Sequence, residues 1–96
     1  MQSVKKKICV KLKILPPFTP NLKTIESMLH LEDGPTLAKL LTKASNQGIL
    51  EINKLIEGDE LKDNIVILIN GKTIFDLKQE LNDGDRVVIM PLAPGG

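Results

Sequence analysis

Ile8, Val10, Leu12 and Ile14 alternate with Cys9, Lys11 and Lys13, and a period of two sends the two sets of side chains to opposite faces of a strand. The spacing predicts a first strand with one buried and one wet face. Pro16-Pro17-Phe18-Thr19-Pro20 ends it, because proline fixes φ and removes backbone donors. Ile25, Leu29 and Leu31 then alternate with Glu26, Met28 and His30, with Ser27 interrupting the apolar series. This predicts a second strand, hairpinned to the first. Asp33-Gly34-Pro35-Thr36 reads as a helix start, with proline admissible in the first turn and Gly34 or Thr36 as the cap. Leu37, Leu40, Leu41 and Ala44 fall on one face of that helix, which should end before Gly48. Ile49, Ile52 and Ile56 predict a shorter second helix closed by Gly58.

Ile65 to Ile69 is a run of apolar residues with no polar alternation, the pattern of a strand covered on both faces. Asn70-Gly71 predicts a type I′ hairpin turn, which wants φ > 0 at both central positions, and Thr73-Ile74-Phe75 its short return strand. Leu77 and Leu81 should anchor a turn of irregular or 3₁₀ structure. Asp83-Gly84-Asp85 has turn chemistry, and Arg86 to Met90 reads as the last strand. Pro91 cannot donate to a ladder, so pairing should stop there. The order is strand, strand, helix, strand, short strand, strand. Its simplest solution is an α+β fold, a mixed sheet crossed by one main helix with the last strand parallel to the first.

Ninety-six residues suit one domain able to bury a core without staples. The core must be aliphatic, since Phe18 and Phe75 are the only aromatics. One cysteine forbids an internal disulfide. No signal-peptide pattern opens the sequence and its longest apolar run is far short of the roughly 20 residues of a membrane helix. A cytoplasmic protein that makes no use of membrane is expected. The net charge of +1 is uneven: residues 1–24 carry six lysines and no acid, leaving seven cations against twelve acids, a net of minus five, in the rest. Nucleic-acid binding is not expected from so neutral a chain with so few aromatics.

Beyond the last strand, Pro91-Leu92-Ala93-Pro94-Gly95-Gly96 carries no charged side chain. The sequence therefore divides into a domain over residues 1–90 and a flexible tail over 91–96, able to reach roughly 20 Å when extended. The tail's ionic group is the α-carboxylate of Gly96, with a pKa near about 3.5. As an anion it is a poor electrophile and must be activated before anything attacks it. Adenylation would do so, and sulfide, a thiolate or an amine could then take the acyl carbon. Two residues without Cβ suit a narrow approach channel.

Ile69-Asn70-Gly71, Leu81, Asp83-Gly84-Asp85, Val87 to Met90, Pro91 and Gly95-Gly96 together resemble the MoaD/ThiS sulfur-carrier family, which has a ubiquitin-like β-grasp fold. Pro91 is more similar to the molybdopterin branch, the small subunits of molybdopterin synthase, than to the thiamine branch. The resemblance implies that Gly96 is adenylated by an E1-like adenylating enzyme, which uses the ATP, and becomes a thiocarboxylate that donates sulfur. Gly95 would allow passage. The implied partners are that enzyme, a sulfur donor protein and a molybdopterin synthase large subunit. The chain would be a carrier, not an enzyme, with no cofactor or metal bound. The alternatives are a thiamine-pathway carrier, a ubiquitin-like modifier conjugated through Gly96, and a non-covalent interaction domain.

If Ile8, Val10, Leu12 and Ile14 face the helix, Lys11 and Lys13 face the open side. Placing Val87 and Ile89 inward likewise turns Arg86, Val88 and Met90 outward. With Met28 this gives an apolar patch rimmed by cations, the anatomy of a docking surface, extended by Pro91 and Leu92 at the tail's root. The competing reading is an ordinary sheet face. Cys9 and His30 read as packing residues without partners in sequence, and Lys5-Lys6-Lys7 as a solvated end.

Overall fold

The computed structural model describes residues 7–32 and 34–92. Strands β1 (Lys7–Ile14) and β2 (Ile25–Glu32) form an antiparallel hairpin, paired over their full length from Lys7 opposite Glu32 to Ile14 opposite Ile25. The period-two pattern is realised directly. Ile8, Val10, Leu12 and Ile14 are buried, while Lys11 and Lys13 are exposed.

Helix α1 (Leu37–Asn46) buries Leu37, Leu40, Leu41 and Ala44, the stripe its spacing predicts. Thr36 is the N-cap, its hydroxyl accepting from the Lys39 N–H. Pro35 thus precedes the cap and lies outside the first turn. A helix start leaves its first N–H groups without intrahelical partners. Here the segment that precedes the last strand supplies them, as Leu37 donates to the Gln79 carbonyl and Ala38 to that of Leu77. In return the Leu81 N–H donates to the Pro35 carbonyl. The stretch around Leu77 and Leu81 is the irregular turn expected, and it is tied to the helix by backbone bonds.

The predicted second helix does not form. Ile52–Lys54 makes one 3₁₀ turn, and Ile56–Glu57 (β3) pairs with Glu60–Leu61 (β4) in a small hairpin turning at Gly58. The Ile49, Ile52, Ile56 spacing misled because the buried residues here are Leu50 and Leu55. Their separation of five positions does not make a helical stripe, and the three isoleucines only pack against the core's margin.

β5 (Ile65–Ile69), β6 (Lys72–Thr73) and β7 (Arg86–Pro91) complete a five-stranded sheet in the order β2-β1-β7-β5-β6. β7 lies parallel to β1, with Lys11 opposite Arg86, and antiparallel to β5. Asn70 and Gly71 both take positive φ, +52° and +84°, in the turn between β5 and β6, as a type I′ turn requires. The return strand is shorter than predicted and starts one residue earlier. Ile74 adds one more bond, to the Ile67 carbonyl, and Phe75 is exposed.

Two expectations about strands change. β5 alternates, with Ile65, Ile67 and Ile69 buried and Val66 and Leu68 only half-buried. One ten-residue helix covers one face of the sheet and leaves the other open. Pairing also runs past Met90: Pro91 lies opposite Ile65, and the Leu92 N–H donates to the Asn64 carbonyl at 3.0 Å. Backbone parity explains this. Arg86 and Leu92 direct backbone groups towards β5, whereas the Ile89 carbonyl accepts from Leu15 on the β1 side. Pro91, odd-numbered like Ile89, therefore turns its donor-less nitrogen towards β1, where the Leu15 carbonyl is already taken by the Phe18 N–H. No ladder bond is lost. The last described backbone bond of the strand is thus that of Leu92, two residues past the expected end of pairing at Met90.

Candidate functional site

The turn before β7 sets where the open face begins. Asp85 is nearly buried; its Oδ2 accepts from the Asn82 N–H at 2.8 Å and its Oδ1 from the Asn70 side-chain amide at 2.9 Å. Asn70 Oδ1 accepts in turn from the Arg86 N–H at 3.0 Å. Asp83 and Gly84 clasp the backbone of Cys9: its N–H donates to Asp83 Oδ1 and its carbonyl accepts from the Gly84 N–H. Two turns, far apart in sequence, thereby fix the register of β7 against both neighbours.

That register builds the open face in rows. Met28, Lys11 and Arg86 stand side by side on three adjacent strands, and Glu26, Lys13, Val88 and Leu68 form the next row. Met90 pairs with Val66 beyond them. Lys11, Lys13, Met28, Arg86 and Val88 line one open groove of about 600 Å³. Met28 is 58% exposed, which for a large apolar side chain marks it as surface available to a partner. The rim is not purely cationic, since Lys13 Nζ lies 4.0 Å from Glu26 Oε1.

Met90 and Pro91 are half-buried further along the same strand, and Leu92 is exposed where β7 leaves the sheet. Gly95 and Gly96, and the expectation that the tail is flexible, lie outside the described residues. Sequence reasoning missed Val66 and Leu68, which extend the apolar part of the face beside Met90 and Val88. The missing signal was the helix count: one amphipathic helix cannot cover both faces, so every second residue of an all-apolar strand must face outwards.

Cys9 and His30 stand opposite each other in the β1–β2 ladder, Cys9 half-buried and His30 exposed. No group of three or more His, Cys, Asp or Glu side chains comes together as a metal site among the described residues. Nor is any helix among them long and apolar enough to cross a membrane.

The ThiS family model matches residues 17–96. The chain belongs to the ThiS family. Its architecture is that of a ThiS/MoaD-type, ubiquitin-like sulfur carrier, an α+β β-grasp with a mixed sheet. Solved structures share it at low identity. The solution structure of the HVO 2177 protein of Haloferax volcanii is 24% identical with a TM-score of 0.73, over 100% of this chain and 93% of that one. SAMP1 of the same organism is 21% identical with a TM-score of 0.68, over 92% and 99%. A Pyrococcus furiosus protein provisionally assigned as molybdopterin converting factor, subunit 1 is 22% identical with a TM-score of 0.66, over 88% and 97%. At such identities these structures speak for the fold alone. No curated protein matches the sequence.

Proposed function

We propose that this ThiS-family protein carries sulfur as a thiocarboxylate on Gly96 and delivers it to a precursor of molybdopterin. The observation that carries the reading is the extent of the family match, which runs through the last strand to Gly95 and Gly96. The structural likeness to a provisionally assigned molybdopterin converting factor subunit, together with Pro91, favours the molybdopterin branch.

The chemistry follows from the carboxylate. An E1-like adenylating enzyme joins one carboxylate oxygen to the α-phosphorus of ATP, releasing pyrophosphate. A sulfide-level nucleophile from a sulfur donor protein then takes the acyl carbon, and AMP leaves with the bonding pair. This chain supplies the substrate group and the surface that holds it in place. The open face, with Met28, Val88 and Met90 between Lys11, Lys13 and Arg86, is where the activating enzyme and a synthase large subunit dock in turn.

The test supplies a cognate activating enzyme, ATP and a sulfur donor, and follows intact mass and thiol trapping. Wild type should pass through an adenylate and end with one oxygen replaced by sulfur. Deleting Gly96 should abolish both products without changing thermal stability. Formation of neither product by wild type, or of both by the truncation, refutes the proposal. An amide bond between Gly96 and a lysine of another protein would instead mark a modifier.

A further inference from the structure

On the side of the sheet remote from β2, a second groove of about 410 Å³ runs between the β3–β4 hairpin and the segment after β6. Its lining includes Phe75, which is 77% exposed, and the carboxylates of Asp59, Glu60, Asp63 and Asp76. Lys62 and Lys78 also line it, but among the described residues neither forms an ion pair with these acids. Asp76 Oδ1 accepts from the Lys78 N–H at 2.9 Å, a bond that leaves its charge uncompensated. A large exposed aromatic ring beside carboxylates without an ion-pair partner is the chemistry that holds a guanidinium or ammonium group, by its π face and by charge.

The groove also contains one strand position, Ile65, that has no ladder partner on its outer side among the described residues, although the residue as a whole is only 6% exposed. Even-numbered residues of β5 direct their backbone groups towards β7, as the Asn64 carbonyl does in accepting from Leu92. Odd-numbered Ile65 therefore turns its N–H and C=O to the outer edge of β5. β6 covers that edge only opposite Leu68 and Ile69, with one further bond from Ile74 to Ile67. An uncovered strand edge is a template for an added strand.

We propose that this groove is a second docking surface, occupied by an extended, arginine- or lysine-bearing segment of a partner protein. The segment adds to the outer edge of β5 at Ile65 and places its cations on Phe75 and the carboxylates. Ile65 is also the ladder partner of Pro91, so an added strand lies two strand spacings, about 10 Å, from the root of the tail. A partner gripping there holds the tail's exit in a fixed place. The proposal stands whether or not Gly96 is activated.

The test titrates the isotope-labelled full chain with a capped octapeptide of alternating arginine and valine, and with a counterpart carrying glutamate for arginine. Saturable amide shifts should centre on Ile65, Phe75 and Leu77 with the arginine peptide only. Phe75→Ala and Asp63→Lys should each weaken binding about fivefold, whereas Lys23→Glu, in the loop between β1 and β2, should leave it unchanged. Absence of saturable binding, shifts centred elsewhere, equal binding of the glutamate peptide, or wild-type affinity in Phe75→Ala and Asp63→Lys overturns the proposal. So do the same shifts appearing on raising the protein concentration alone, which would assign the groove to a second copy.

Discussion

The side-chain amide of Asn70 donates to the carboxylate of Asp85 across 2.9 Å, joining the β5–β6 turn to the turn that launches β7. Asn70 holds this position with φ at +52°, a conformation that asparagine tolerates better than most residues with a Cβ. Asn70→Ala should lower stability by about 2–3 kcal/mol, combining lost bonds to a nearly buried carboxylate with a strained backbone. Asn70→Gly relieves the backbone part and should fall between the two. Urea denaturation followed by circular dichroism measures both, and an alanine variant as stable as wild type would contradict this role.

Much of the fold was legible because alternation and helical spacing are local signals. β1, the inward pair Val87 and Ile89 and the α1 stripe were readable from side-chain period, and the parallel pairing of first and last strands from the order of elements around one crossover helix. What stayed hidden depends on neighbours. Ile65 to Ile69 looks the same whether one face is covered or two, and Ile49, Ile52 and Ile56 carry a spacing that the buried Leu50 and Leu55 override. Pro91 continues the ladder because of which strand its nitrogen faces, a fact of register. At the site, Lys11, Lys13, Met28, Arg86 and Val88 could be grouped from parity alone. Val66 and Leu68 needed the sheet order.

One-sided cover of β5 has a direct test. Ile67, buried against the helix side, should cost about 2–5 kcal/mol when changed to alanine. Val66→Ala, on the open face beside Met90, should cost less than about 1 kcal/mol. Thermal or denaturant midpoints compare the pair. Equal losses would mean that both faces of the strand are packed.

Charge reversal on the open face should separate docking from folding. Lys11→Glu and Arg86→Glu remove cations from one row of the groove, and each should weaken binding of the activating enzyme by about tenfold. Met90→Asp should do the same through the apolar part. Melting temperatures should stay close to wild type, since none of these side chains belongs to the core cluster. Calorimetric titration beside a thermal scan reads both quantities. A collapse of the fold in Met90→Asp, with unchanged binding in the two charge reversals, would place the docking surface elsewhere.

The last bond of β7 fixes how far the tail can extend. The Leu92 N–H is held by the Asn64 carbonyl, so the length beyond this anchor is Ala93 to Gly96, four residues spanning at most about 14 Å. Under the proposed function, a site that adenylates Gly96 has to come within that distance of Leu92 while the enzyme rests on the open face. Deleting Ala93 and Pro94 shortens the reach by about 7 Å and should abolish adenylation, although both terminal glycines remain. Inserting two glycines after Leu92 lengthens the tail and loosens it; adenylation should persist but need a higher carrier concentration, because a longer, freer segment has more conformations to lose on entering the channel. Both variants keep every residue of the core, so their thermal stability should match wild type. Initial rates of pyrophosphate release, with intact mass as a check on the product, give the comparison. If the shortened tail is adenylated as fast as the natural one, the reach set by Leu92 does not govern activation, and the enzyme must instead unzip the end of β7 to draw the tail in.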